Sequence, residues 1–192
     1  MKKTININQK YSFKYLEKPF LVQKGQLRVG YICDNDTKKP ILILDVIDNF
    51  INDYHQTMIT SEELTNSKGD KAILVLVDAM IFHYDFICSD FGYTKLMHEL
   101  GHYLSEQRIN DNYSKIRAHF KGVMPEEYEA DEFAVRECGI NRFLKTIEHM
   151  KNIRMNILRD KNCNKALNEF ELRKKHAIEY AKTLEISNHD LL

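Results

Sequence analysis

The chain has 192 residues, of which 43% are hydrophobic and 29% charged, enough apolar material for one domain with a sizeable core. Its 28 lysines and arginines balance 28 acids, and a formal net charge of zero disfavours a generic polyanion binder. Seven glycines and three prolines are too few for a turn-rich β-sandwich.

The N-terminal stretch MKKTININQKYSFKYLEK carries two lysines with no apolar run behind them, so it does not read as a secretory signal. Gln26–Cys33 (QLRVGYIC) alternates and is rich in strand formers, and Ile41–Val46, just after Pro40, is a short apolar run; both predict strands. Ile47, Phe50, Ile51 and Tyr54 recur at helical spacing, which predicts a helix over Ile47–His55. Thr60–Asp70 is polar and reads as a loop. Ala72–Asp78 (AILVLVD) predicts a third strand, suited to a core position or to a sheet edge that accepts a substrate strand. The longest apolar stretch, Ala72 to Phe82, is 11 residues, against about 20 for a membrane helix.

From Ser89 the pattern becomes helical. Ser89 or Asp90 can cap a helix starting near Tyr93, with an apolar stripe at Leu96, Leu100 and Tyr103/Leu104. Pro125 opens a second helix, PEEYEADEFAVREC, which should stop at Gly139. Arg142–Leu158 and Ala166–Ile186 continue the helical period. Strands first and helices after predict an α+β fold: a small N-terminal β-sheet packed on a helical core, as one domain over 1–192. Residues 1–90 form its strand-rich part, with one helix, and 91–192 its helical part.

Cys33, Cys88, Cys138 and Cys163 are widely spaced with no CxxC, as expected of reduced, buried thiols in a cytoplasmic protein. Charge is uneven: residues 41–92 carry nine acids and two lysines, and 142–185 eleven bases and six acids. The plain reading is two solvated, complementary surfaces, and the sharper one a basic helical face that docks an acidic partner. Arg173, Lys174 and Lys175 share their helix with Glu169, Glu171 and Glu179 and read as part of a solvated face.

The chemistry concentrates at His98-Glu99-Leu100-Gly101-His102, an HExxH on a predicted helix. Residues four apart sit one turn above each other, so both imidazoles face one metal ion. Glu99 is rotated about 100° along the helix, beside the metal, where it can take a proton from a bound water. Zinc suits two neutral imidazoles and a carboxylate with a fourth position open to water. Gly101, mid-helix, costs about 1 kcal/mol against Ala, which suggests that another backbone packs closely there.

Zincins with a third histidine carry it at HExxHxxGxxH, where this chain has Arg108. His119 is one candidate third ligand, and Glu127 the stronger. On a helix Glu127, Asp131, Ala134 and Cys138 share a small, apolar face that would bury both acids, and buried acids need a cation or a hydrogen-bond partner. Glu127 on the metal, with Asp131 accepting from a ligand imidazole, meets both needs. Glu126 fits a helix N-terminus through the dipole alone, and Glu129, Glu132 and Glu137 read as solvated. His176 and Tyr180 are conceivable oxyanion donors, with neither assigned.

HELGHYL followed by EYEADEFA resembles the gluzincin metallopeptidases, which pair HExxH with a downstream ExxxD or ExxxN. Among soluble forms it most resembles the ImmA/IrrE family, found with mobile elements and stress regulators. The match runs from Tyr93 to about Cys138, roughly a quarter of the chain. It departs at Asp131, where the family often has Asn, and in the tail Val135-Arg136-Glu137-Cys138-Gly139. The resemblance implies that His98, His102 and Glu127 bind Zn2+, that Glu99 is the catalytic base and that Asp131 supports a ligand from behind. It further implies a selective intracellular peptidase whose substrate is a regulatory protein such as a transcriptional repressor. The helix-turn-helix that the family often carries is not visible, so no direct nucleic-acid binding and no membrane association are expected. The competing expectation is a non-catalytic zinc-containing binding or sensing module, in which a fourth protein ligand such as His119 would close the site.

Overall fold

The computed structural model describes residues 4–48, 58–79, 81–83, 86–104, 125–157 and 163–189. They fall in two compact units, Met1–Phe86 and Ile87–Leu192.

The first unit is a six-stranded sheet: β1 (Thr4–Asn6), β2 (Tyr11–Gln23), β3 (Gln26–Asp34), β4 (Pro40–Ile47), β5 (Met58–Thr65) and β6 (Lys71–Asp78), in the order β1-β2-β3-β4-β6-β5. Strands β1 to β4 form an antiparallel meander; β4 then pairs with β6 in parallel, and β5 pairs antiparallel with the far side of β6. Phe13, Ile32, Leu42, Leu44, Ile73, Val75 and Val77 are fully buried and form its core. Asp45, also fully buried in β4, accepts hydrogen bonds from Arg28 Nε at 2.9 Å and Gln26 Nε2 at 2.8 Å, the pairing that a buried carboxylate requires.

One sequence expectation changes in part, one open alternative closes in favour of a core strand, and one strand is new. Thr60–Asp70 is not a loop throughout, because β5 runs through Thr65. Ala72–Asp78 is not a sheet edge, because β6 is paired on both sides. Long β2 was not anticipated, although Tyr11, Phe13 and Tyr15 recur with the two-residue period of a strand and all three are buried. The helix expected over Ile47–His55 lies mostly outside the described residues, and Ile47 itself ends β4.

The second unit holds four helices: α1 (Asp90–Leu104), α2 (Pro125–Cys138), α3 (Ile140–Ile157) and α4 (Cys163–His189). Ser89 caps α1, its Oγ accepting from the Gly92 N–H at 2.9 Å. Pro125 opens α2, where a missing N–H costs nothing, and Gly139 ends it in the left-handed region at φ 82°. Leu96, Met97, Leu100, Ala130, Ala134, Phe143 and Ile147 are buried and form the core of this unit. Among the described residues no helix is long and apolar enough to cross a membrane.

The cysteines depart in part from expectation. Cys33 is buried, Cys138 partly so and Cys88 exposed, and these three are free thiols.

Candidate metal centre

Helix α1 presents His98 and His102 one turn apart, and α2 buries them. The two helices approach closely because residue 101 has no side chain. A Cβ there would lie 2.7 Å from Ala130 Cα and 3.0 Å from Phe133 Cβ. The mid-helix glycine therefore has the close backbone neighbour that its cost implied.

That approach carries Glu127, in the first turn of α2, over both imidazoles. His98 Nε2 and His102 Nε2 are 3.1 Å apart. Glu127 Oε2 lies 3.4 Å from His98 Nε2, and Glu127 Oε1 lies 3.6 Å from His102 Nε2. Tetrahedral zinc with bonds of about 2.0–2.1 Å separates its ligand atoms by about 3.3–3.4 Å. Each imidazole nitrogen therefore lies near that spacing from a different oxygen of Glu127, with one donor atom of each residue within 4.8 Å of the others, and two imidazoles with a carboxylate are a donor set that suits the ion. His98, His102 and Glu127 can hold a metal ion.

Behind the ligands lies a second set of contacts. Asp131, one turn after Glu127 and fully buried, places Oδ1 at 2.9 Å from His98 Nδ1. With Nδ1–H donating there, Nε2 keeps its lone pair for the metal. Arg173, buried on α4, donates from Nε to Asp131 Oδ2 at 2.7 Å and from Nη2 to Oδ1 at 2.6 Å. Its Nη1 lies 3.3 Å from Glu127 Oε2. Arg173 Nη2 also comes within 3.4 Å of His98 Nδ1, but both are donors in this tautomer, so Asp131 Oδ1 is the acceptor they share.

Glu99 is buried on α1, and Lys95, one turn before it and also buried, donates from Nζ to Glu99 Oε1 at 3.0 Å. Burial works against the Glu99 charge, but Lys95 and the two imidazoles outweigh it and hold the carboxyl below its usual pKa. Burial likewise opposes ionisation of Glu127 and Asp131, yet His98 and Arg173 hold Glu127 well below, and Arg173 and His98 hold Asp131 below, the ordinary range. Without a metal on Nε2, desolvation of His98 is overcome by the Asp131 and Glu127 acceptors, which raise its pKa; a metal ion would take the place of the Nε2 proton. All three acids are therefore carboxylates at neutral pH.

The structure brings together His98, His102, Glu127 and Asp131, with Glu99 on the same helix as the two histidines. His119 and Arg108 lie outside the described residues. Arg173 is not part of a solvated face as its neighbours suggested; it is buried against two acids, whereas Lys175 of the same run is exposed. His176 pairs through Nε2 with Glu132 Oε1 at 2.7 Å and lies against the Tyr128 ring, so Glu132 is not simply solvated. Glu126 is buried rather than a surface acid at the helix start. Lys95 and Arg173 were both missed. Lys95 had a local signal, its spacing of four from Glu99. Arg173 had none, since its partner Asp131 is 42 residues away.

No protein-family model, curated protein or solved structure matches the chain. HExxH together with a glutamate from a separate helix is the arrangement of a gluzincin-type zinc site, and the geometry carries that statement alone.

Proposed function

We propose that this chain is a zinc-dependent metallopeptidase of the gluzincin type, selective for a regulatory protein and working inside the cell. One observation carries the proposal: donor atoms of His98 and His102 on α1 and of Glu127 on α2 lie within 4.8 Å of one another, and Glu99 is buried on α1 between the two histidines. A zinc ion held there would supply a Lewis acid for the scissile carbonyl and lower the pKa of the attacking water. Glu99 receives the proton from that water at its carboxylate and passes it to the leaving amine. Asp131 holds His98 in the tautomer that presents Nε2. Free thiols at Cys33, Cys88 and Cys138 suit a reducing compartment. The run HELGHYL with EYEADEFA supports an ImmA/IrrE-like role, with a transcriptional repressor as the substrate class and neither nucleic acid nor membrane as a partner.

The second reading, a zinc-containing binding or sensing module, draws on the Lys95–Glu99 ion pair, which engages the would-be base. One set of variants separates the two. Elemental mass spectrometry should find about one zinc per native chain and a sharp loss in Glu127→Ala. Glu99→Gln should keep the zinc and abolish cleavage of a degenerate peptide mixture that the native chain cuts. Hydrolysis that survives Glu99→Gln would remove the mechanism. Zinc retained at native strength without Glu127 would remove the third ligand. X-ray absorption of the zinc-loaded native chain that finds a fourth protein ligand in place of a water would favour the module.

A further inference from the structure

We propose that Arg173 is a positioning residue of the metal centre, which rests on the reading of His98, His102 and Glu127 as zinc ligands. A buried arginine between two helices has a simpler explanation, an ion pair that fastens α4 to α2. The contacts go further than that role needs. The guanidinium grips both oxygens of Asp131, from Nε at 2.7 Å and from Nη2 at 2.6 Å. The oxygen that receives Nη2, Oδ1, is the one that lies 2.9 Å from His98 Nδ1. Arg173 therefore fixes the acceptor that sets the tautomer and ring plane of one ligand.

The third nitrogen, Nη1, lies 3.3 Å from Glu127 Oε2, the oxygen that is 3.4 Å from His98 Nε2. One planar group thus sets the supporting carboxylate and the ligand carboxylate together. Only the fork of an arginine spans both; a lysine ammonium supplies the charge at one point. The positive charge also offsets the repulsion between two carboxylates one turn apart on a buried helix face. The third ligand is held in place by α4, an element that contributes none of the three donors, and zinc affinity is coupled to how Arg173 sits.

The test uses the full chain and reads zinc affinity by chelator competition, the visible spectrum of the cobalt-substituted site, and helix content by circular dichroism. Arg173→Met should keep its helix content, lose about 10–100-fold in zinc affinity and alter the cobalt bands. Arg173→Lys should recover part of the affinity. His176→Ala is the control, because it removes another contact between α2 and α4, the 2.7 Å bond to Glu132, without touching the ligands; it should bind zinc like the native chain. Native affinity and an unchanged cobalt spectrum in a folded Arg173→Met overturn the proposal, as does an equal loss in His176→Ala, which would reduce Arg173 to helix docking. If Arg173→Met does not fold, Arg173→Lys decides: weakened zinc at native helix content supports the forked contact, and native affinity overturns it. A native chain that binds neither zinc nor cobalt overturns the metal reading itself, an outcome distinct from any of these.

Discussion

Cys138 closes α2 with its thiol partly inside the helical unit, and burial raises its pKa to about 11, against weaker opposing pulls from Thr94 and Arg142. A thiol reacts as the thiolate, so at pH 8 only about one in a thousand Cys138 side chains is reactive. The sign for stability follows from the same shift. The folded state holds the Cys138 proton more tightly than the unfolded chain, so the contribution is present below the ordinary thiol range and is lost as pH rises towards 11. Cys88 stands in contrast, exposed on the surface. Mapping iodoacetamide adducts by mass spectrometry should show Cys88 labelled within minutes at pH 8 and Cys138 almost unmodified until the pH approaches its own pKa. Rapid labelling of Cys138 at pH 8 would mean that the end of α2 is open and that the thiol is not packed as described.

At the scale of elements the decisive contact is the crossing of α1 and α2 at Gly101 and Ala130. Gly101→Ala should gain about 1 kcal/mol of helix propensity. Its new Cβ would meet backbone, Ala130 Cα at 2.7 Å and the Ala130 carbonyl oxygen at 3.0 Å, which cannot rotate away as a flexible side chain would. Overpacking of this kind costs about 1–3 kcal/mol, so the net effect is destabilising. Because Gly101 precedes His102 and Ala130 precedes Asp131, forcing the helices apart also spreads the ligands. Urea unfolding should give a lower midpoint for this variant, and chelator competition a weaker zinc affinity. Unchanged values would show that the crossing is looser than the distances imply. This crossing was legible in the sequence, since a glycine inside HExxH has no other use in a helix. The α2 boundaries were legible too, because Pro125 and Gly139 act through local backbone geometry. What escaped was non-local. MITSEELT in β5 has no continuous apolar face, and it becomes a strand through its backbone pairing with β6. Arg173 sits among lysines and glutamates that mark a solvated helix, and only the packing of α4 turns it towards Asp131. Lys95 lies beside the apolar stripe of α1, where the sequence pattern favours exposure over the buried ion pair with Glu99.

For the molecule as a whole, His98, His102, Glu127, Asp131 and Arg173 all belong to the unit Ile87–Leu192, and the sheet unit contributes no member of this group. A bound ion stabilises whatever must stay folded to hold it, by about 4 kcal/mol when the free metal is a thousandfold above its dissociation constant. That linkage should act on α1, α2 and α4, because the ligands and the Arg173 fork tie these three helices together. It should leave untouched the opening of the sheet, whose core is built on Phe13, Ile32, Leu42 and Val75. Hydrogen exchange of the intact chain, with zinc and after chelation, separates the two cases. Chelation should speed exchange in peptides from α1, α2 and α4 and leave those from β3, β4 and β6 unchanged. Equal loosening of the sheet peptides would show that the two units open as a single cooperative body, so that the metal stabilises the entire chain. Unchanged exchange everywhere would mean that the His98–His102–Glu127 triangle is held without the ion, by Arg173 and the helix crossing alone.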